Sequence, residues 1–217
     1  VPNSEKEGIA DILRAWEESH GTTGKTGRSL DTSYGYPEGW KKGEGLHTRR
    51  FLKVQDGCNM FCSYCIIPYA RGRIRSRSIS DILSETGELV RRGSSEFVLT
   101  GIHLSSFGKE KEDPKESLTE LIKRMAETEG VKRLRLGSLE PTVITEGFVR
   151  EIKETEALCP HFHLSLQSGC DTVLRRMNRH YTAADYEESC RILREVYDHP
   201  AICADVIAGF PGETEEE

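Results

Sequence analysis

The sequence has few features of an exported or membrane-bound protein. It contains no run of about eighteen apolar residues, which a membrane-spanning helix needs, and no charged-then-apolar leader. Cysteine is sparse at seven residues, and an odd number cannot all pair, so we expect no disulfide framework. A basic excess is also missing, since the formal net charge is -6 at pH 7. These absences predict a cytoplasmic protein with reduced thiols and no membrane contact, although a local basic patch can still contact phosphate.

The composition predicts a folded protein, because 36% of the 217 residues are apolar and can fill a core. Residues 4–18 carry a Ser4/Glu7 capping box and an apolar stripe, which predict a helix. Residues 21–45 have the Gly-, Ser- and Lys-rich composition of a linker, so we expect a domain boundary there and a core domain over residues 46–217. The chain starts at Val1 and ends in an acidic run, from which we expect a piece of a longer protein.

Strand and helix patterns alternate through the rest of the chain at about thirty residues per pair, which is typical of a parallel sheet with right-handed crossovers. Five such strands favour an α/β fold, a partial (β/α) barrel truncated after its fifth strand. A doubly wound open sheet is the alternative, but no G-x-G-x-x-G turn follows the first strand. The predicted strands are 51–55, 96–100, 132–136, 161–166 and 201–208, and the predicted helices are 78–92, 117–126, 145–153, 171–177 and 183–197.

The residues that close these strands are polar, and ligands of such barrels lie at the carboxyl ends of the strands. In the fourth strand the polar residues His161, His163, Ser165 and Gln167 share one face, and Phe162, Leu164 and Leu166 share the other. The leucines should contact the helices and the polar row should face the barrel interior. Because unpaired polar groups are costly to bury, this row favours ligand binding over a purely structural role.

Three cysteines directly after the first strand form the motif C-x-x-x-C-x-x-C: Cys58, Cys62 and Cys65. A structural zinc site usually takes four protein ligands, whereas a [4Fe-4S] cluster held by three thiolates leaves one iron open for chemistry. We therefore predict a cluster; the alternative is a zinc loop completed by His47 or a distant His, although no second ligand pair lies nearby. The other cysteines have no ligand spacing and are interpreted as core residues: Cys159, Cys170, Cys190 and Cys203.

Four arginines follow the cysteines at every second position: Arg71, Arg73, Arg75 and Arg77. On an extended backbone all four side chains would point to one side, where they could contact RNA phosphates. A solvated basic surface strand is the alternative interpretation.

Three segments resemble the methylthiotransferase branch of the radical S-adenosylmethionine (SAM) superfamily. They are residues 51–78, FLKVQDGCNMFCSYCIIPYARGRIRSRS; residues 163–182, HLSLQSGCDTVLRRMNRHYT; and residues 205–217, DVIAGFPGETEEE. The resemblance covers residues 46–217 and is greatest to enzymes that add a methylthio group to N6-threonylcarbamoyladenosine next to the anticodon of tRNA. Isopentenyladenosine in tRNA, a ribosomal protein aspartate and a different radical SAM reaction are alternatives, because a fold does not fix function. A metal-binding RNA-interaction fragment is the alternative that is not an enzyme.

The resemblance implies that the three cysteines hold the cluster and that SAM chelates its open iron. Tyr64 would lie along the adenine of SAM, and Gly101 would let the backbone approach the methionine amino group. Arg179 would face the methionine carboxylate and Asp205 the ribose, as suits a guanidinium and an acceptor carboxylate. The alternatives are a salt-bridged Arg179 and a capping Asp205. The implied SAM contacts are Tyr64, Gly101, Glu140, Gln167, Arg179 and Asp205.

The resemblance also implies partners and missing parts. An electron donor such as flavodoxin or ferredoxin would reduce the cluster, cleavage of SAM would give a 5′-deoxyadenosyl radical that abstracts hydrogen from the adenine, and a second SAM would supply the methyl group. Family members carry an upstream domain with a second [4Fe-4S] cluster, thought to deliver sulfur, and an RNA-binding barrel at the C-terminus. We expect residues 1–20 to be the tail of that upstream domain, and the second cluster only in the full-length protein. These 217 residues alone should then form no methylthioadenosine, with SAM either intact or cleaved unproductively to 5′-deoxyadenosine.

Overall fold

The computed structural model describes residues 11, 15, 49–111 and 113–217. Residues 11 and 15 are helical, but the rest of the predicted helix 4–18, the linker 21–45 and His47 lie outside the described residues. Residues 48–217 form one compact unit. The domain bounds given above stay a prediction.

Five parallel strands form the wall of a partial barrel. Strands β1, β3 and β4 pair in parallel, β5 and β6 pair in parallel, and a bridge between Leu139 and Leu164 joins the two groups. The spatial order of the parallel strands follows their order in the chain, without the reversal of a doubly wound sheet. The predicted partial barrel is therefore confirmed. The strands are β1 (Arg49–Asp56), β2 (Arg75–Ser76), β3 (Glu96–Gly101), β4 (Arg133–Leu136), β5 (His161–His163) and β6 (Ala201–Cys203).

Four of the helices described below begin where a polar side chain caps them. Ser78, Ser117, Thr145 and Thr182 each accept a hydrogen bond from the backbone N–H three residues later, which satisfies a donor that the helix leaves open. At Thr182 the capping is reciprocal, because the Asp185 carboxylate accepts from the Thr182 backbone N–H. The helices are α1 (Ile67–Arg71), α2 (Ile79–Arg91), α3 (Leu118–Ala126), α4 (Glu146–Lys153), α5 (Asp171–Arg176) and α6 (Ala183–Val196).

The two faces of the sheet differ in burial as the alternating pattern predicts. Apolar side chains of the strands and of the helices α2, α3, α4 and α6 form one buried core, so the helices cover that face. Phe162 and Leu164 belong to the core, whereas His161 and His163 lie on the opposite, partly exposed face, which we call the inner face. Among the described residues, no helix is long and apolar enough to cross a lipid bilayer.

Two predicted strands are shorter than the sequence pattern indicates. The strand predicted over 161–166 ends at His163, and the one predicted over 201–208 ends at Cys203. Beyond them only single bridges continue the pairing, Leu139 with Leu164 and Gln167 with Val206. Gln167 has a φ of 65°, a left-handed conformation that breaks the extended backbone of a strand. The polar alternation alone could not indicate this turn.

Candidate cluster and cofactor site

The loop that carries the three cysteines is attached to the fold at its start. Gly57 has a φ of 71°, and a Cβ there would lie 2.6 Å from the carbonyl carbon of Arg73, so this close approach of two backbones requires glycine. The Cys58 N–H donates to the Gly72 carbonyl at 3.1 Å. These contacts hold the first cysteine against the chain that leaves the loop.

A second attachment joins the middle of the loop to the residues after α5. Ser63 donates through its N–H to the Met177 carbonyl at 3.0 Å and through its hydroxyl to the Arg176 carbonyl at 2.8 Å. The Asn178 side-chain amide donates to the Phe61 carbonyl at 3.0 Å, and also to that of Met60. The sequence pattern did not indicate a role for Asn178. Its position beside Arg179, within the segment 163–182 that carries the resemblance, was the feature that could have indicated one.

The thiols of the loop are free and largely shielded from water. Cys58 is 8% exposed and Cys62 is 9% exposed, and Cys65 is half-buried. Burial raises the pKa of the Cys58 thiol, partly offset by the Met60 N–H, which donates to its sulfur at 3.4 Å. A backbone donor to sulfur is one of the interactions that adjust iron-sulfur clusters.

The donor set fits a cluster. Among the described residues, no three His, Cys, Asp or Glu side chains are grouped closely enough to bind one metal ion. A cubane does not require such a grouping, because each of its thiolates binds a different iron. Three thiols on one anchored loop therefore suit the predicted [4Fe-4S] cluster, and the ligand roles of Cys58, Cys62 and Cys65 are proposals developed below.

The Arg179 guanidinium lies beside the second cysteine of the loop. Its side chain is only 9% exposed, Nη1 donates to Cys62 Sγ at 3.1 Å, and Nε donates to Tyr181 Oη at 2.9 Å. Burial by itself lowers the pKa of Arg179, but the neighbouring Tyr181 and Cys62 groups more than offset this, so its pKa lies above the usual range. The structure therefore places a fixed, buried positive charge next to the cysteine loop.

Glu140 supplies a buried negative charge to the same site. Its Oε1 lies 3.8 Å from Arg179 Nη2, and its Oε2 lies 3.3 Å from His103 Nε2. Burial by itself raises the pKa of Glu140, but His103 and Arg179 more than offset this, so the pKa is lowered and the group is ionised. Neither Oε1 of Glu140 nor Nε2 of His103 has a hydrogen-bond partner in the described part of the chain. A buried, ionised carboxylate oxygen that accepts no hydrogen bond fits an amino group of a ligand.

Tyr64 and Gln167, which are 103 positions apart in the chain, are in contact. The Tyr64 hydroxyl donates to Gln167 Oε1 at 3.1 Å, and burial raises the pKa of Tyr64. The Phe210 ring lies edge-on to Tyr64, with 6.1 Å between ring centroids. The sequence pattern did not single out Phe210, although it lies within the segment 205–217. The two rings form an aromatic corner on which an adenine could stack.

The position of Gly101 is set by a neighbouring glutamine. A Cβ on Gly101 would lie 2.8 Å from Gln55 Oε1, and Gln55 is 1% exposed. Gln55 joins β1 to β3, because its Nε2 donates to the Gly57 carbonyl at 2.8 Å and its Oε1 accepts from the His103 N–H at 2.8 Å. Glycine is thus required by packing within the protein, and approach of the methionine amino group to Gly101 stays a prediction.

Asp205 follows β6, two residues after its last residue Cys203. Its side chain is 79% exposed, and Oδ2 lies 3.3 Å from His163 Nε2. The backbone connects it to the aromatic corner, since the Gln167 N–H donates to the Asp205 carbonyl at 3.0 Å.

The backbone of residues 71–77 is not extended throughout, as a single row of the four arginines would require. Arg71 is the last residue of α1, and Gly72 with a φ of 77° turns the chain before β2 begins. Arg71 and Arg75 both lie within 4 Å of the Asp56 carboxylate, at 3.5 Å and 3.6 Å. Their predicted RNA contacts are not tested by this geometry and stay a prediction.

The other two arginines of this stretch have different neighbours. The Arg73 guanidinium lies over the Phe61 ring, 4.8 Å from its centroid, and Arg77 pairs with Glu85 at 2.6 Å. Tyr69 lies edge-on to the same Phe61 ring, is 73% exposed, and completes a surface of aromatic and cationic groups beside the cysteine loop.

Comparisons with known proteins agree with this geometry. The model of the radical SAM superfamily matches residues 52–217. A tRNA-2-methylthio-N(6)-dimethylallyladenosine synthase of Clostridium tetani is 45% identical over 170 residues, 78% of this chain and 37% of that protein. The threonylcarbamoyladenosine tRNA methylthiotransferase MtaB of Bacillus subtilis is 42% identical over 172 residues, 78% of this chain and 38% of that protein. The chain spans less than half the length of these relatives.

Solved structures support the fold. The radical S-adenosylmethionine methyltransferase TsrM from Kitasatospora setae is similar with a TM-score of 0.59 and 23% identity, over 77% of this chain and 32% of that one. The cobalamin-dependent S-adenosylmethionine radical enzyme OxsB is similar with a TM-score of 0.56 and 14% identity, over 72% of this chain and 23% of that one.

Proposed function

The chain belongs to the radical SAM superfamily, and from this premise we propose that it is the catalytic part of a cytoplasmic tRNA methylthiotransferase. Its proposed substrate is N6-threonylcarbamoyladenosine next to the anticodon. The support for the reaction class is the 42% identity to a relative named for that substrate and the 45% identity to one named for a related adenosine.

The observation that carries the proposal is the arrangement of charge around the cysteine loop. The side chains of Arg179 and Glu140 are 9% and 6% exposed. Arg179 contacts Cys62 of the loop, and Glu140 lies 3.8 Å from Arg179. Burying two opposite charges this deeply costs desolvation free energy, and binding of a charged ligand would offset that cost. A methionine moiety offers a carboxylate to the guanidinium and amino N–H groups to the Glu140 oxygen, which accepts no hydrogen bond within the described residues, so SAM supplies a partner to both charges.

In this proposal the residues of the chain bind and orient the cofactors. Cys58, Cys62 and Cys65 hold the [4Fe-4S] cluster, which supplies the electron for cleavage of SAM when it is reduced by a donor such as flavodoxin or ferredoxin. Tyr64 and Gln167 fix the adenine, and the burial of Cys58 and Cys62 limits access of water to these two ligands.

Replacing Arg179 with Ala should weaken binding of SAM by at least about ten-fold, because a hydrogen bond to a charged group contributes on the order of 1.5 to 3 kcal/mol. Isothermal calorimetry on the reconstituted protein under anaerobic conditions measures this affinity. Iron content is measured alongside, because Arg179 also contacts Cys62. The matched control is Arg191→Ala, which removes an exposed arginine of α6 paired with Glu188 and Glu195. Equal affinities of the two variants would assign Arg179 a structural role.

Dimethylallyladenosine, the N6-isopentenyl form of adenosine, is the second candidate substrate. The observation that favours it is the 45% identity to the Clostridium tetani synthase, against 42% to the Bacillus subtilis methylthiotransferase. The two modified bases differ in chemistry, since threonylcarbamoyl carries a carboxylate and dimethylallyl is purely apolar. A basic side chain near the substrate therefore favours the first candidate, and Arg73, which lies over the Phe61 ring of the cysteine loop, is such a side chain.

The substrate is tested by following SAM cleavage in the presence of anticodon stem-loop RNA. We expect 5′-deoxyadenosine to form faster with a stem-loop that carries N6-threonylcarbamoyladenosine than with one that carries dimethylallyladenosine or unmodified adenosine. Mass spectrometry of the reconstituted chain with SAM and a reductant measures the rate. The opposite order would support the second candidate, and rates independent of all three RNAs would contradict recognition of either modified base by these residues alone.

A further inference from the structure

A histidine on the inner face connects the ends of three neighbouring strands. His163 is the last residue of β5, and its Nδ1 lies 2.8 Å from the hydroxyl of Ser138, which follows β4. Its Nε2 lies 3.3 Å from Oδ2 of Asp205, which follows β6. The imidazole therefore lies between a hydroxyl and a carboxylate that come from different strands.

The position of Asp205 explains why such a contact matters. Its side chain is 79% exposed, so packing does little to fix its rotamer. A carboxylate recognises a ligand hydroxyl well only when it is already held in the required orientation, since otherwise the ordering cost reduces affinity. The backbone of Asp205 is fixed by the hydrogen bond from Gln167, but that bond does not orient the side chain.

The chemistry of the neighbours fixes the roles of the two ring nitrogens. A carboxylate can only accept a hydrogen bond, so orientation of Asp205 by this contact requires the proton on Nε2. In the neutral ring Nδ1 is then an acceptor, and the Ser138 hydroxyl is a donor that suits it. The Ser138 hydroxyl can donate to Nδ1 in that tautomer, so its contact is compatible with His163 orienting the carboxylate and leaving Oδ1 of Asp205 for a ligand.

We propose that His163 is a positioning residue that holds Asp205 for the ribose hydroxyls of SAM. The inference rests on the proposed function, because it assigns a role within the same cofactor site. Ser138 acts behind His163, and neither residue contacts the reacting atoms.

The test compares two ligands on the full chain after anaerobic reconstitution. One is S-adenosylhomocysteine, and the other is the same compound without the 2′ and 3′ hydroxyls. Calorimetry should show that the wild type prefers the hydroxylated ligand by about ten-fold or more. His163→Ala should lose most of this preference and bind the dideoxy ligand as the wild type does. His163→Gln, whose amide N–H can replace Nε2–H, should keep part of the preference.

The matched control is His161→Ala on the same inner face, two residues earlier, where the imidazole contacts Cys203 rather than Asp205. It should keep the full preference. Asp205→Ala should lose the preference, and adding His163→Ala to it should change nothing further, since the two residues act as a unit. A His163→Ala variant that weakens both ligands equally, or that keeps the wild-type preference, would overturn the inference while leaving the proposed function intact. A wild type that binds neither ligand would overturn the proposed function itself, and the inference with it.

Discussion

Replacing Cys62 with Ala is expected to abolish the iron-sulfur cluster. The wild-type chain should take up about four irons after anaerobic reconstitution with iron and sulfide, because three thiolates and one ligand-bound iron complete a single cubane. Cys62 is 9% exposed, and its sulfur accepts a hydrogen bond from Arg179. Iron and acid-labile sulfide assays, with the visible absorption spectrum of the cluster, measure the loss.

The control for this experiment is Cys203→Ala, which removes an exposed thiol of β6 that lies outside the loop. It should retain the wild-type iron content. If the Cys62 variant retained about four irons, Cys62 would not be a ligand of the cluster. Tightly bound zinc in place of iron in the wild type would contradict the cluster altogether and favour a structural zinc loop.

The sequence was informative wherever a pattern is local. The strand at residues 96–100 and the helix at 117–126 follow from alternation, a three-to-four-residue apolar period and an N-cap serine, and the structure has them at Glu96–Gly101 and Leu118–Ala126. Resemblance to known enzymes then placed Tyr64 and Gln167 in one site, and the structure brings them within 3.1 Å of each other.

The remaining features depend on contacts between distant parts of the chain, which local patterns do not encode. The arginine row assumed a backbone extended throughout, and spacing alone cannot reveal the turn that Gly72 introduces between α1 and β2. Asn178 and Gln55 belong to no recognisable motif. The Asn178 side chain binds a backbone carbonyl of the cysteine loop, and the Gln55 side chain binds a backbone N–H just after β3, each more than forty positions away in the chain. Polar residues of this kind can be recognised as structural only when their partners are known.

Replacing Gly57 with Ala is the second change expected to have a large effect. A Cβ at this position would overlap the Arg73 backbone, approaching its carbonyl carbon to 2.6 Å, and a backbone group cannot move aside as a flexible side chain can. The φ of 71° adds strain for any residue with a Cβ, on the order of 1 to 2 kcal/mol. We expect the loop to separate from Gly72, which breaks the hydrogen bond from the Cys58 N–H and displaces the first thiol. Iron content after reconstitution should fall by more than half, and urea unfolding should show a destabilisation of roughly 3 kcal/mol.

Gly93→Ala separates the two causes of that effect. Gly93 has a φ of 89°, so an alanine there is strained as at position 57, but nothing lies within 4 Å of the added Cβ. Its variant should lose about 1 kcal/mol of stability and keep its full iron content, because Gly93 ends α2 away from the cysteine loop. The difference between the two variants then measures the close approach of Gly57 to Arg73 alone. Equal losses of iron and of stability in both variants would contradict this account. The loop would then depend on a left-handed residue at its start and not on contact with the chain after α1. The spacing of the cysteines, rather than their attachment to that chain, would then position the cluster.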